Sequence, residues 1–268
     1  IRDPEMSRGL GDVYKRQSAD FLVNTAKEYG VNVDYIRKVP GSSGMGVINA
    51  VEDGSVYACI VRGANFEVTK EDVDNAMPIL KESGVCILQN EIPVEIIAYA
   101  IDKAKEAGCT VVLNAAPAIE LPEECLSKVD ILVVNEVEAE FYCHEKIDSV
   151  EKAKTEIKKM AEKYNNNVIF TLGKDGAVAY ENGTIEFIPA MKVDAIETTG
   201  AGDSFIGSFL YQVAEGDNTL ESLVNLPEEK VKEILTFSNA TAALTVCKRG
   251  AIGALPTKEE VLTLAQGR

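Results

Sequence analysis

Histidine is almost absent from this chain of 268 residues, which contains only His144. A histidine-based catalytic triad and a metal site with several histidines are therefore excluded by count. His144 lies in the polar stretch 143–146, and we expect it to be a solvated surface residue. No stretch approaches the roughly 18 consecutive apolar residues of a membrane-spanning helix, so no membrane span is expected.

Positive charge is also scarce, because 27 lysine and arginine residues stand against 43 aspartate and glutamate residues, a net charge of −16. This balance argues against nucleic acid or an anionic membrane as the main partner. The six cysteines, at positions 59, 86, 109, 125, 143 and 247, form no C-x-x-C pair. Most lie in apolar runs, which is typical of small core residues in a reducing compartment, so we expect a cytoplasmic protein.

Residues 1–17 show no apolar period and do not begin with Met. They resemble translated adapter sequence, and we leave them out of the fold prediction. We expect the native reading frame to enter near Ser18, inside a helix that ends at Gly30. The apolar positions of this helix are Phe21, Leu22, Thr25, Ala26 and Tyr29.

Residues 44–62 have the period of β structure. Two apolar runs, 46–51 and 56–61, flank the dipeptide Asp53-Gly54, which predicts a hairpin with a tight turn. The preceding G-S-S-G-M-G is similar to a dinucleotide-binding fingerprint. It does not stand between a strand and a helix, so we reject that function and, with it, a Rossmann oxidoreductase.

From Thr69 onward, helical and strand patterns alternate. Thr69 and Asp72 have the spacing of a capping box and predict a helix to about Ser83, followed by a short buried strand at 85–88. Further strands are predicted at 109–113, 131–134, 168–171, 177–180 and 184–188, and helices at 93–107, at 150–164 and from residues 201, 227 and 257. We therefore predict an α/β fold whose parallel sheet is covered on both faces.

Polar and glycine-rich segments follow these strands, where ligands bind in open α/β sheets. The segments begin at Gln89, Asn114, Asn135 and Leu172. Each also has a purely structural interpretation. These are a solvated acid for Glu91, a capping box for Asn135 with Glu138, turn residues for Gly173 and Gly176, and a solvated side chain for Lys174.

The stretch 197–209, E-T-T-G-A-G-D-S-F-I-G-S-F, carries the strongest chemical signal. Gly200 and Gly202 flank Ala201, and Asp203 follows directly before an apolar helical run. Small residues at a helix start allow the backbone to bind an anion, and a carboxylate in that turn is favoured by the helix dipole. This pattern suggests a base that activates a hydroxyl beside a phosphate. The structural alternative is a tight helix start with Asp203 as its N-cap.

The chain has neither a P-loop nor the H-R-D and D-F-G signatures of protein kinases. Phosphoryl transfer needs only positioning, charge neutralisation and a base that orients the hydroxyl. The turn at Gly200–Gly202, Asp203, and Mg²⁺ ligands near Asn135 and Glu138 would supply these parts.

The sequence resembles the ribokinase-type (phosphofructokinase B) family of carbohydrate kinases in six motifs with compatible order and spacing. From the N-terminus onward these are R-G-A-N, L-Q-N-E-I-P, N-A-A-P-A, N-E-V-E-A-E, T-L-G-K-D-G and T-T-G-A-G-D-S-F. The resemblance covers residues 18–268 and is strongest to the family's kinases of D-ribose. It implies a three-layer α/β/α fold with a mainly parallel sheet, a single domain, and a β lid at about 44–62 that covers the sugar and pairs two subunits as a homodimer.

The resemblance implies ATP-dependent phosphorylation of D-ribose to D-ribose 5-phosphate. Asp203 matches the catalytic base and contacts the sugar, the anion hole matches Gly200, Ala201 and Gly202, and Glu91 matches a sugar-binding carboxylate. Glu138 matches an acid that helps to hold Mg²⁺ through water. Nucleotide contacts match Asn135, Thr171, Leu172, Gly173, Lys174, Asp175, Gly176, Gly202 and Asn239.

A monovalent cation, typically K⁺, accompanies the anion hole in this family. Its ligands here would be Glu197, Thr199, Thr245, Lys248, Gly250 and Ala254, several of them through backbone carbonyls. Two positions depart from the family pattern: Glu197 replaces the usual Asp, and Ala254 stands where Ser is common.

The family's first strand and its G-G-K-G-x-N sugar motif are not found in this chain. We expect them upstream of Ser18 in the native gene. This chain would then be a fragment, and its sequence does not determine whether the fragment itself is active. The alternatives are a kinase of another sugar or nucleoside, such as fructose, deoxyribose or adenosine, and a catalytically silent nucleotide-binding paralogue or fragment.

Overall fold

The computed structural model describes residues 12–50, 56–215 and 226–267. The chain forms two compact units. The first contains the described residues up to Ile79 together with Glu91–Lys103, and the second contains Leu80–Asn90 and the described residues from Ala104 onward. The organisation as one kinase domain with a lid stays a prediction.

Helices and strands alternate through most of the described chain. The described helices, α1 to α10, are Asp12–Glu28, Lys70–Asn75, Met77–Glu82, Val94–Ala107, Glu123–Leu126, Glu136–Cys143, Val150–Tyr164, Ala201–Glu215, Glu228–Val246 and Lys258–Ala265. The described strands, β1 to β8, are Met45–Ala50, Val56–Val61, Val85–Gln89, Thr110–Asn114, Ile131–Asn135, Asn167–Thr171, Gly176–Glu181 and Thr184–Pro189.

The second unit is built on a six-stranded sheet in the order β3-β4-β5-β6-β7-β8. Strands β3 to β6 are parallel, and the hairpin β7–β8 adds two antiparallel strands beside β6. All residues of β4 are buried, as a strand covered on both faces must be. The predicted α/β fold with a mainly parallel sheet is confirmed.

Helices α8 and α9 cover one face of this sheet, and α6 and α7 pack on its strands as well. Phe205, Ile206 and Phe209 of α8 are buried in one cluster with Val133 and Ile169 of the sheet. Burial of each such side chain contributes about 1.5–3 kcal/mol. This packing fixes α8, and with it the turn that carries Asp203.

The first unit contains the predicted hairpin. Strands β1 and β2 pair antiparallel from Met45 opposite Val61 to Ala50 opposite Val56. The predicted turn at Asp53-Gly54 lies outside the described residues.

Two helices replace the single helix predicted from Thr69 to Ser83. The capping box is present, because Thr69 Oγ1 accepts from the Asp72 N–H and the Thr69 N–H donates to Asp72 Oδ2. However, α2 ends at Asn75 and α3 begins at Met77. Pro78 has no N–H to donate to the preceding turn, which is the physical reason for the break.

The strand predicted as buried at 85–88 is an edge strand. Within the described residues β3 pairs only with β4, and Ile87 is 48% exposed. The N-terminal helix is also longer than expected, since α1 begins at Asp12, within the segment that was left out of the fold prediction. Its predicted apolar positions Phe21, Leu22 and Tyr29 are exposed.

The cysteines only partly follow the core prediction. Cys109 and Cys125 are buried, Cys86, Cys143 and Cys247 are half-buried, and none of these five described cysteines forms a disulfide. His144 is exposed, as predicted, and ends α6 in the left-handed conformation. None of the described helices has the length and apolar character needed to cross a membrane.

Candidate active site

The first turn of α8 brings the predicted anion hole and the predicted base together. Helix α8 begins at Ala201, and Gly200 before it has a φ of +79°, a conformation that favours glycine. Asp203 is the third helical residue and its side chain is exposed, so the alternative of an N-cap is wrong. The opening N–H groups of a helix lack intrahelical acceptors and attract anions. The Ala201 N–H already donates to the Thr198 carbonyl at 3.2 Å, so the N–H groups of Gly202 and Asp203 are better placed to hold an anion beside the carboxylate.

A pocket of about 420 Å³ opens next to this turn within the second unit. Gly200, Asp203 and Ala251 belong to its wall, together with the aromatic rings of Tyr211 and Phe237. A Cβ added to Gly200 would lie 3.5 Å from the Ala251 Cα, so the loop after α9 stands directly against the predicted anion hole. The volume lies in the range of small-ligand pockets.

Within the described residues, the Asp203 carboxylate has a side-chain partner to which the sequence analysis assigned no role. Gln89, at the end of β3, donates from Nε2 to Asp203 Oδ1 at 3.2 Å. The only sequence signal was the position of Gln89 at a strand end. The pairing itself joins residues 114 positions apart, which no local pattern reports.

The predicted cation ligands Glu197, Thr199 and Gly250 lie together. The Gly250 N–H donates to Glu197 Oε2 at 3.2 Å. Hydrogen bonds from the Thr199 hydroxyl and then from this N–H lower the pKa of the Glu197 carboxyl below its usual range. An ionised carboxylate is an oxygen ligand of the kind that a hard monovalent cation prefers.

Three further predicted ligands follow at or after the end of α9. Thr245 is fully buried in the last turn, and its carbonyl accepts from the Lys248 N–H at 3.2 Å. The next carbonyl, that of Val246, accepts from the Glu197 N–H at 3.1 Å. The C-terminal carbonyls of α9 therefore lie close to the backbone at Glu197. The negative end of a helix dipole favours a cation. Ala254 is buried in a following 3₁₀ helix, and no hydrogen bond of the described residues joins it to Glu197.

Asn135 and Glu138 form the capping box that was their structural interpretation. Asn135 Oδ1 accepts from the N–H groups of Val137 and Glu138, and Glu138 Oε2 accepts from the Asn135 N–H at 2.8 Å. Burial raises the pKa of the Glu138 carboxyl, and the Asn135 N–H opposes that rise. The box uses Glu138 Oε2, so Oε1 is the carboxylate oxygen that lies outside the Asn135 N–H contact.

A Mg²⁺ ion fits this site only in one mode. In the described part of the chain, no three His, Cys, Asp or Glu side chains are placed to hold a metal. Mg²⁺ commonly keeps several waters and takes one or two carboxylates together with substrate phosphates. Glu138 Oε1, acting through water, fits that mode.

The predicted nucleotide loop from Thr171 to Gly176 is a tight turn between β6 and β7. The Leu172 N–H donates to the Gly176 carbonyl at 2.8 Å. Gly176 has a φ of +118°, and a Cβ there would lie 2.1 Å from the Ile188 carbonyl oxygen. The turn interpretation of Gly176 is therefore confirmed. Its exposed residues are Gly173, Lys174 and Asp175, the part of the loop open to a ligand.

Asn239 is buried in α9. Its Nδ2 donates to the carbonyls of Ile188 and Pro189 at 3.0 and 3.3 Å, which ties α9 to the end of β8. The side-chain oxygen remains as the atom that could accept a hydrogen bond from a nucleotide.

Glu91 belongs to the first unit. Asn65 Nδ2 donates to Glu91 Oε2 at 3.4 Å. Both residues line a cavity of about 1180 Å³ within that unit, together with Ser43. A carboxylate and an amide on one wall are suited to binding hydroxyl groups.

Comparison with known proteins identifies the family. The pfkB family carbohydrate kinase model matches residues 10–258 of the chain. The chain belongs to the pfkB family of carbohydrate kinases. It is therefore a member of a family of phosphotransferases, and the predicted resemblance is confirmed.

The relatives of this chain within the pfkB family are named for different sugars. The chain is 34% identical over 244 residues to the ribokinase of Staphylococcus aureus (strain COL), covering 91% of this chain and 77% of the relative. It is 33% identical over 245 residues to the deoxyribokinase of Salmonella typhi, covering 90% and 76%. The structure of Arabidopsis thaliana ribokinase complexed with ribose and ATP matches with a TM-score of 0.73 and 28% identity, covering 88% of this chain and 74% of that one.

Proposed function

We propose that this protein transfers the γ-phosphoryl group of ATP to the terminal hydroxyl of D-ribose, giving D-ribose 5-phosphate and ADP. The observation that carries the proposal is the exposed Asp203 carboxylate in the first turn of α8, directly after the glycine turn. A base and an anion hole in one turn are the parts that phosphoryl transfer needs. The ribokinase relatives and the ribose and ATP complex of Arabidopsis thaliana ribokinase support the choice of substrates.

In the proposed reaction the ribose hydroxyl oxygen forms a bond to the γ-phosphorus as the bond from that phosphorus to the β–γ bridging oxygen breaks. Asp203 accepts the hydroxyl proton, and ADP leaves with the bridging oxygen. Gly200, Ala201 and Gly202 stabilise the negative charge of the transferring group with backbone N–H groups and the helix dipole. Glu91 binds a sugar hydroxyl.

The remaining predicted residues bind the nucleotide. The exposed loop residues Gly173, Lys174 and Asp175 contact ATP, with Thr171, Leu172 and Gly176 shaping the loop. Asn135 and Asn239 orient the nucleotide through side-chain amides, and Gly202 contributes its N–H. Mg²⁺ would neutralise phosphate charge when bound, and Glu138 would help to hold it through water. Because ATP is the proposed substrate and none of the five described cysteines forms a disulfide, we propose that the reaction takes place in the cytoplasm.

A potassium ion beside the anion hole is the second part of the proposal. Glu197, Thr199 and Gly250 already meet there, and Thr245, Lys248 and Ala254 complete the set that the family resemblance assigns. The cation would stabilise the turn that leads into α8 and so favour the anion hole.

The β1–β2 hairpin is proposed to act as the lid and to pair two copies of the chain. Met45, Ile60 and Val61 are exposed apolar side chains at one end of this hairpin. Exposed apolar side chains grouped in this way mark interaction surfaces. Ile60→Lys should shift a dimer to a monomer in light scattering, and a wild-type monomer would contradict the pairing.

A substrate panel tests the proposed function. Because a deoxyribokinase relative is nearly as similar as a ribokinase relative, 2-deoxy-D-ribose is the second candidate substrate. ADP release is measured with D-ribose, 2-deoxy-D-ribose, D-fructose and adenosine. We expect the highest kcat/KM with D-ribose. A higher value with any other acceptor would reassign the substrate, and release of ADP with none would refute the proposal for this chain.

A further inference from the structure

Gln89 makes a contact that the proposed reaction, as described so far, does not use. Its Nε2 lies 3.2 Å from Asp203 Oδ1. In the described residues, no other side chain hydrogen-bonds the Asp203 carboxylate. Among the described residues, the donor therefore lies at Oδ1, and Asp203 Oδ2 has no side-chain donor.

The chemistry of a carboxamide suits this position. It donates a hydrogen bond but has no proton that titrates in the physiological range, so it orients a carboxylate without competing for its proton. A carboxylate of the same shape would repel Asp203, and an apolar side chain of the same length would leave its rotation free. The donor to Oδ1 therefore selects the rotamer that presents Oδ2.

The backbone that carries Gln89 is held on both sides. Gln89 pairs with Asn114 at the end of the β3–β4 ladder. The next residue, Asn90, is buried, and its N–H donates to the Ala116 carbonyl at 3.0 Å. Asn90 Nδ2 also donates to the carbonyl of Pro117 at 3.0 Å. A side chain orients a catalytic group best when the backbone that carries it is itself held by hydrogen bonds, as it is here.

We infer that Gln89 is a positioning residue that holds Asp203 in the orientation needed to accept the proton of the substrate hydroxyl. The inference rests on the proposed function, since it takes Asp203 as the base. It adds a residue from the far end of the second unit's sheet, β3, to the machinery in the first turn of α8.

Measurements of turnover in two variants test the inference. Gln89→Met keeps the length of the side chain and removes the hydrogen-bond donor, and Gln89→Glu places a second negative charge beside the Asp203 carboxylate. Misplacement of a reacting group by about 1 Å can cost about 100-fold, so kcat with D-ribose should fall about 10- to 100-fold in Gln89→Met and further in Gln89→Glu. The KM for ATP and the melting temperature of Gln89→Met should match wild type. Gln266→Met, at an exposed glutamine directly after the last described helix, is the matched control and should keep full activity.

Failure of the positioning role and failure of the proposed function give different results. Full kcat in Gln89→Met together with an inactive Asp203→Asn would overturn the positioning role and leave the base assigned. Full kcat in Asp203→Asn would instead show that Asp203 is not the base, and the proposed function would lose its catalytic residue. A raised KM for ATP in Gln89→Met with unchanged kcat would also overturn the role, because it would indicate a binding effect.

An NMR measurement tests the contact without turnover. The side-chain amide signals of Gln89 are identified by their loss in Gln89→Met. They should shift in Asp203→Asn and stay in place in Asp194→Asn, an exposed control in the preceding loop. Unchanged Gln89 signals in Asp203→Asn would overturn the inference.

Discussion

The carboxylate of Glu197 accepts a hydrogen bond from the backbone N–H of Gly250, 53 residues later in the chain. The contact joins the segment before α8 to the loop after α9. It places a carboxylate, held in its ionised form by Thr199 and Gly250, close to the carbonyl end of a helix. Acidic and carbonyl oxygens meeting beside the anion hole are the structural basis for the proposed potassium site.

Glu197→Gln should remove most of the stimulation of turnover by potassium. A neutral amide keeps the shape of the side chain but no longer balances the charge of the cation. The measurement compares turnover in potassium chloride with turnover in tetramethylammonium chloride at equal ionic strength. Glu259→Gln, an exposed substitution in α10, should keep the wild-type stimulation. Equal stimulation in wild type and Glu197→Gln would contradict the site.

Gly200→Ala and Gly202→Ala should differ in stability although they lie two residues apart. Gly200 has a φ of +79°, so an added Cβ costs about 1–2 kcal/mol of unfolding free energy. Gly202 lies inside α8 with an ordinary φ, and nothing lies within 4 Å of its added Cβ. Alanine there should be neutral or stabilising, because it is the better helix former. Urea unfolding measures both, and equal losses would contradict the assigned turn.

Asp72 should make the stability of the first unit depend on pH in acid. The Arg37 guanidinium donates to both Asp72 oxygens and, with Thr69, lowers the pKa of this carboxyl from 3.8 to about 2. A lowered pKa contributes stability above pH 4 that is lost as the pH falls toward 2. The contribution is about 1 kcal/mol, because Arg37 is half exposed and water screens the pair.

The measurement for this ion pair is the unfolding free energy of Asp72→Asn at several pH values. The deficit against wild type should be present at pH 7 and should shrink between about pH 4 and pH 2. Asp34→Asn, an exposed substitution in the same unit, should show no such pattern. A deficit independent of pH would mean that the pair acts through packing alone.

Helices and hairpins with strong local signals could be predicted from the sequence, including the residues at which they begin and end. Helix α7 spans the predicted residues 150–164 because the Ser149 side chain accepts from the Lys152 N–H and one face of the helix is apolar. The β7–β8 hairpin follows from Asn182-Gly183, whose φ values are both positive, as a tight hairpin turn requires.

Features that depend on distant neighbours could not be predicted. Whether β3 is buried depends on what lies beside it in the sheet, and the exposed Ile87 has the same sequence pattern as a buried strand residue. Gln89 meets Asp203 only through the fold. At Asn135 and Glu138 the capping interpretation and the binding interpretation use the same side chains, so the sequence alone could not separate them.

The central claim is that Asp203 is the base of a sugar kinase, and one comparison tests it most directly. ADP release with D-ribose, ATP, Mg²⁺ and K⁺ is measured for wild type, Asp203→Asn and the control Asp194→Asn. Asparagine keeps the shape of Asp203 but does not accept the hydroxyl proton, so kcat should fall about 100- to 10,000-fold while Asp194→Asn keeps full turnover. Near-normal turnover in Asp203→Asn would contradict the account.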